Sequence, residues 1–259
     1  MAGFVLARVS AGLADSTIRN DTNQQWQQRY NIRRYGFHGL SHAYCSHRAA
    51  QLLDQPVQHL RIVTCHLGAG ASLAAVVSGH SVDTTMGFTP LEGLVMATRS
   101  GTVDPGLVLW LEEHEHLSPH EVATALEHRS GLTALAGTGD MRTVQTRADS
   151  GDSAAALALD VYLHRLVTGI GAMTAAAGGV DVLVFTGGVG EHSPTVRARA
   201  VQRLAYLGAG IDTRLNGTAH GDGDITAAGA TVRTVGVTAR EDLQIAREAR
   251  WVLTTLAWL

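Results

Sequence analysis

The stretch VDVLVFTGGVGEHSPTVRARAVQRLAYLG, residues 180–208, constrains the chain most. It begins with a short run of β-branched and aromatic residues, which reads as a buried strand. Glycines follow at 187, 188 and 190. Ser193 then stands as a helix cap, with Pro194 at the first helical position, where its missing N–H is no loss. Strand, glycine-rich loop and capped helix in that order belong to an α/β fold, with ligand held at strand carboxyl ends.

The rest of the chain repeats the alternation. LSHAYCSHRAAQLL reads as a helix with Ser41 as its cap. RIVTCHLG reads as a strand, and GAGASLAAVVSGHSVDTT as a second strand and the start of a third, turning at Ser78-Gly79. DPGLVLWLEEHEHL is a predicted helix with Pro105 in its first turn. SPHEVATALEHRSG is another, with Ser118 and Glu121 as a capping box and Gly131 as its stop. A long helix starts at Asp152 or Ser153 and stops at Gly178-Gly179. The chain ends in a helix, REDLQIAREARWVLTTLAWL. Residues 1–30 form no clean element, and ADSTIRNDTNQQWQQRY within them is polar and reads as a tail or connector.

With 259 residues the chain can bury a real core, as one large domain or two modest ones. Net charge is −3, which leaves no basic field for nucleic acid. Cys45 and Cys65 follow no CxxC spacing and predict free thiols in a reducing cytoplasm. The most apolar stretch, residues 163–180, carries His164 and Arg165 and reads as a packed helix, so no membrane partner is expected. The start, MAGFVLARVSAGLADS, faintly resembles a signal peptide, but Arg8 interrupts its short apolar run and a cytoplasmic reading is preferred.

Several stretches could carry chemistry. HLGAGAS places Gly68 and Gly70 directly after a strand, where bare backbone N–H groups can cradle an anion or simply make a tight turn. FTGGVGEHSP is a second such loop, followed by a helix N-terminus suited to phosphate. It lacks the Lys-Ser/Thr of a P-loop, and its glycines are misplaced for a dinucleotide fingerprint. Two such loops over a hundred residues apart suggest a nucleotide gripped from two sides. Asp140 and Arg142 in GTGDMRTV are either a surface salt bridge or ribose contacts. Arg99 lies among small residues, and its guanidinium suits a transferring phosphoryl group. Glu241 is either a partner of a helix dipole or a Mg²⁺ ligand. His38, His42, Cys45 and His47 in and after RRYGFHGLSH tempt a zinc reading, but the cap at Ser41 puts His38 off the helix face and no carboxylate completes HExxH. His114, His116 and His120 read as a solvated helix end.

In their order, RRYGFHGLSH, HLGAGAS, SVDTTMGFTPLEGLVMATRSG, FTGGVGEHS and TAREDLQIA resemble the acetate and propionate kinase family, over about residues 32–246. The resemblance implies a ribonuclease-H-like nucleotide-binding domain of the actin-like, sugar-kinase-like ATPase superfamily. It implies Mg²⁺-dependent phosphoryl transfer between ATP and acetate, giving acetyl phosphate and ADP, with propionate as the nearest rival substrate. His38 and Arg99 would then serve the transferring phosphoryl. His66, Gly68, Ala69 and Gly70 would line the phosphate path, Asp140, Met141 and Arg142 would hold the nucleoside, and Gly188, Val189, Gly190, Glu191 and His192 the nucleotide phosphates. Glu241 would help hold Mg²⁺. Gly36 and Gly39 would keep bulk away from His38. A homodimer is the family habit.

Members of that family are far longer, and the expected layout follows from this. Residues 1–31 form a divergent segment, 32–240 the nucleotide-binding domain, and 241–259 a helix that normally packs on a first domain not found here. An arginine, an aspartate and an asparagine that the first domain supplies have no counterpart in this sequence. Ala69 stands where Asn is usual, His192 for Asn, Thr102 for an acidic residue and Leu40 for Thr. Ala69 removes a hydrogen bond near the phosphates, weakening nucleotide binding by about 1 kcal/mol. A patch of Trp251, Leu253, Leu256, Trp258 and Leu259 would be sticky. A catalytically silent ATP-binding module is therefore the alternative to an enzyme.

Overall fold

The computed structural model describes residues 24–256. The signal-like start, Trp258 and Leu259 lie outside the described residues. In chain order, α1 (Gln24–Tyr30) and α2 (Gly39–Leu52) precede β1 (Arg61–Leu67), β2 (Ala71–Val77) and β3 (His80–Thr84). Then come α3 (Pro105–His114), α4 (Pro119–His128), α5 (Gly131–Ala136), α6 (Met141–Asp149) and the long α7 (Ser153–Ala176). β4 (Val182–Thr186), α8 (Gly187–His192), α9 (Pro194–Arg203), α10 (Thr213–Thr218), β5 (Gly223–Asp224), β6 (Arg233–Gly236) and α11 (Glu241–Leu256) follow.

The strands make one six-stranded sheet in the order β3-β2-β1-β4-β6-β5. β1, β2 and β3 are an antiparallel meander, and β4 and β6 run parallel to β1. Ser78 (φ 52°) and Gly79 (φ 82°) make the two-residue turn between β2 and β3, the positive-φ geometry that matches strand twist. Alternation along β1 separates two cores. Val63, Cys65 and Leu67 face the core under α6, α7 and α9, while Ile62 joins Ala74, Val76 and Val184 against α2. α11 packs on α2, with the Arg247 guanidinium 5.6 Å from the centre of the Tyr44 ring. The far side of α11 leaves Trp251 half exposed and Leu253 71% exposed.

Four local expectations change. The polar segment before Ile32 contains a short helix, α1. α2 is capped by His38, not Ser41. α4 ends at His128, and Gly131 (φ 62°) opens α5 instead of closing α4. Residues 187–192 coil into the short helix α8 where an open loop was expected; Gly187 (φ 76°) permits the sharp turn out of β4.

Candidate active site

The strand periodicity that builds the core also builds the site. Past Ile62, the α2-facing positions of β1 are Thr64 and His66, and Ser72 lies opposite His66 on β2. The apolar seam between α2 and the sheet thus becomes polar toward the carboxyl end of β1. From α2, Ser41 and His42 meet this polar end. Ser41 Oγ is 2.8 Å from His66 Nδ1, and His42 Nδ1 is 2.7 Å from Thr64 Oγ1. Ser72 Oγ lies 2.8 Å from His42 Nε2 and 2.9 Å from His38 Nδ1.

His38 adopts a left-handed backbone conformation (φ 59°, ψ 26°) at the start of α2. For a residue with a Cβ this costs about 1 kcal/mol. Its ring stacks on that of His66, centroids 4.2 Å apart and 20° between planes. All three imidazoles are held neutral around pH 7. Burial first, then the neighbouring His66 and Arg99, pushes His38 down to about 4. Burial alone pushes His66 down to about 4. Burial and then the other two rings press His42 further below its usual range. Both ring nitrogens of His42 are taken by hydroxyls, whereas His38 gives only Nδ1 to Ser72 and leaves Nε2 beside Gly70.

Arg99 reaches the same place from the loop after β3. That loop is stapled down by backbone bonds: Leu132 N–H donates to Met96 O (3.0 Å), Ser130 N–H to Thr98 O (2.9 Å) and Ala97 N–H to Ala69 O (3.2 Å). Gly131 lets α5 press on it, since a Cβ there would lie 2.2 Å from Met96 O. Among the described residues no carboxylate pairs with Arg99. Its Nη1 finds only Pro90 O at 3.5 Å and Met96 Sδ at 3.8 Å. A Cβ built on Gly70 would touch Arg99 Nη1, His38 Cε1 and His38 Nε2, each at 3.4 Å. Gly70 is therefore the floor of a space bracketed by a cation and an imidazole. In RRYGFHGLSH, Arg34 donates to Thr84 O (3.0 Å), and Arg33 lies over the Tyr35 ring.

The same glycine turn borders a cavity of about 380 Å³. Gly68, Ala69, Asp140, Met141, Arg142, Gly188, Val189 and His192 line it, so the two glycine segments do converge. Gln145 and Ser193 line it too, joined by hydrogen bonds of 2.9 and 3.1 Å. Sequence reading missed Gln145, and gave Ser193 only a capping role, which it also fills by accepting from Val196 N–H. Asp140 is chiefly a local cap. It accepts from Arg142 N–H, Arg142 Nε and Thr143 Oγ1, and these bonds, Arg142's first, hold its carboxyl below the usual carboxylate range.

Gly190 and Glu191 do not line the cavity. Glu191 Oε1 instead accepts from Gly187 N–H and Ala239 N–H, both at 3.0 Å, fastening α8 to the segment before α11. Beneath α8 lies Arg197, 1% exposed and unremarked in the sequence. Its Nη1 donates to Gly190 O (2.8 Å) and Glu191 O (2.7 Å), and Nε to Asn216 Oδ1 (2.7 Å). A buried cation thus satisfies carbonyls that the end of a short helix would leave unpaired. Glu241 is exposed in the first turn of α11.

The sequence profile of the Acetokinase family matches residues 10–247. The chain belongs to the acetokinase family. It is 48% identical over 231 residues to an acetate kinase of Microcystis aeruginosa, covering 89% of this chain and 57% of that protein. It is 50% identical over 218 residues to an acetate kinase of Gloeobacter violaceus, covering 84% and 54%. The chain therefore spans little more than half the length of these relatives. Among solved structures, a Porphyromonas gingivalis acetate kinase superposes with TM-score 0.91 at 36% identity, covering 96% of this chain and 62% of that one. A Francisella tularensis propionate kinase gives 0.86 at 35%, covering 93% and 62%. The expected actin-like, ribonuclease-H-like α/β fold of the acetokinase family is the fold observed.

Proposed function

We propose that this chain carries the nucleotide and phosphoryl-handling part of an acetate kinase, which moves a phosphoryl group between ATP and acetate to give ADP and acetyl phosphate. The observation that carries this is the Gly68–Gly70 turn: a side chain at Gly70 would meet His38 and Arg99, while Gly68 and Ala69 line the nucleotide-sized cavity. Phosphoryl transfer needs positioning and charge stabilisation more than covalent chemistry. Arg99, with no carboxylate partner among the described residues, is free to neutralise the transferring group. His38 donates a hydrogen bond to it, and the cavity holds ADP against α6 and α8.

Magnesium is proposed with it, to neutralise the nucleotide phosphates. The exposed carboxylate of Glu241 suits an ion that keeps its waters and takes phosphate oxygens. We take residues 32–240 as the nucleotide-binding domain and 241–259 as a C-terminal segment, helical over Glu241–Leu256, that meets a further domain in longer members. The half-exposed Trp251 and the exposed Leu253 support that. A homodimer is proposed, supported by α3, which buries none of its residues yet shows Leu109 57% and Trp110 46% exposed. The two free buried thiols fit a cytoplasmic setting, and no helix among the described residues is long and apolar enough to cross a membrane.

The test is acyl-phosphate formation by the purified chain from ATP, magnesium and acetate or propionate, trapped with hydroxylamine. Arg99→Ala should lower turnover about 100- to 1,000-fold with ATP binding retained, because the cation acts where charge develops. A change confined to half-saturation by acetate refutes the role of Arg99. ATP binding without turnover in the unaltered chain would leave the silent module as the reading.

A further inference from the structure

We propose that a hydrogen-bonded chain, Thr64–His42–Ser72–His38, fixes which nitrogen of His38 carries the proton, so that His42 and Ser72 are positioning residues for phosphoryl transfer. The inference rests on the phosphoryl-transfer reading above for its consequence, but not for its geometry.

The polarity of the chain follows from counting protons. The Ser72 hydroxyl has one hydrogen and lies between two imidazole nitrogens, 2.8 Å from His42 Nε2 and 2.9 Å from His38 Nδ1. Ser72 is fully buried, so its hydrogen must go to one ring while its oxygen accepts from the other. The choice is made at the far end. The Thr64 hydroxyl can donate to Ala74 O at 3.4 Å or to His42 Nδ1 at 2.7 Å. The longer contact is at the edge of hydrogen bonding and the shorter is optimal. With Thr64 donating to His42 Nδ1 every link is short, whereas the reverse polarity leaves the Thr64 hydrogen only the distant Ala74 O, so the donor is assigned to Thr64. Neutral His42 then carries its proton on Nε2 and donates it to Ser72 Oγ. Ser72 turns its hydrogen to His38 Nδ1, and the remaining proton of neutral His38 sits on Nε2.

That nitrogen is the one beside Gly70 and Arg99. The chain thus aims an N–H donor, without a net charge, into the space where Arg99 brings the fixed positive charge. Reversed polarity would aim a lone pair there, which repels phosphoryl oxygens. Burial, which disfavours protonating either ring around pH 7, keeps the chain in its neutral form. His66 stacks against His38 but bonds to Ser41, outside the chain.

The experiment is long-range nitrogen–proton NMR on the full chain labelled at histidine, which reads the protonated nitrogen of each ring. In the unaltered chain at pH 7.5, His38 and His42 should both be Nε2–H tautomers. Ser72→Ala should leave His42 folded in place and shift His38 toward a mixture with the Nδ1–H form. In the hydroxylamine assay it should lower kcat about 10- to 100-fold while KM for ATP stays within about twofold. His42→Gln keeps a donor facing Ser72 and should recover most of the His38 tautomer. Nδ1–H at His38 in the unaltered chain overturns the inference at once, whether or not Ser72→Ala folds. An unchanged His38 tautomer in Ser72→Ala also overturns it. If the unaltered chain makes no acyl phosphate yet the tautomers behave as stated, the positioning stands and the kinase reading fails.

Discussion

Lowering the pH from 7.5 to 5.0 should cost this protein a large part of its stability, and the cause is the histidine cluster. His38 and His66 are each held down to about 4 in the fold, against an unperturbed value of 6.5. An unfolded chain takes up protons on these rings below pH 6.5, while the folded chain does not until about pH 4. Unfolding therefore absorbs protons in that window, and stability falls as pH falls. At pH 5 the linkage relation gives about 2 kcal/mol for each ring, rising to about 3 kcal/mol each below pH 4. His42 shifts in the same direction and adds to the loss. Because protonating one ring repels protons from the next, the sum is an upper bound. Still, about 4 kcal/mol at pH 5 is a sizeable share of the 5–15 kcal/mol typical of a domain. Groups on neighbouring elements do not mask it. Arg99 only strengthens the depression at His38, and the carboxylates held low by their partners, such as Asp181 and Asp152, titrate below this window. Urea unfolding at pH 7.5, 6.5, 5.5 and 5.0 measures it. The free energy should be flat above pH 7 and then decline. The double variant His38→Gln/His66→Gln should flatten the decline. A free energy that does not change between pH 7 and 5, or a decline untouched in the double variant, refutes the reasoning.

Two further substitutions separate site from scaffold. Gly70→Ala adds a methyl at ordinary contact distance from Arg99 and His38, with no positive φ to oppose it; urea unfolding should shift by less than about 1 kcal/mol, while acyl-phosphate formation should fall about 100-fold because the methyl would occupy the proposed phosphoryl position. Arg197→Met should destabilise by about 3–5 kcal/mol in the same unfolding assay, since it strips the carbonyls of Gly190, Glu191 and Asn216 of their buried donor.

The elements were legible because their signals are local. Ser118 with Glu121 and Ser193 before Pro194 each satisfy backbone groups within a turn, and each appears as such. The misread positions are those where a distant partner overrules a local preference. Ser41 has the chemistry of a helix cap, but His66, 25 residues away, takes its hydroxyl, and the cap passes to His38 in a conformation histidine rarely adopts. Glu191 reads as a phosphate-loop residue beside its glycines, yet Ala239, 48 residues on, helps turn it inward. Arg197 looks like one of several arginines on a solvated helix. Only the tertiary fold shows it fully buried under α8.

The same contrast explains why the catalytic reading rests on so few groups. Along β1, the sequence Ile62, Thr64, His66 is a gradient on one face, apolar at the start and polar at the end, and the strand period carries it straight to the glycine turn. Every polar group on that gradient is answered by another: Thr64 by His42, His66 by Ser41, Ser72 by two imidazoles. Arg99 is the exception, with only a carbonyl and a thioether at the limits of contact. A fixed cation beside satisfied neutral groups and a glycine, where any side chain would press on it, is suited to the anion proposed to arrive and leave there. That incompleteness, more than any single motif, is what separates this end of the sheet from an ordinary buried polar cluster.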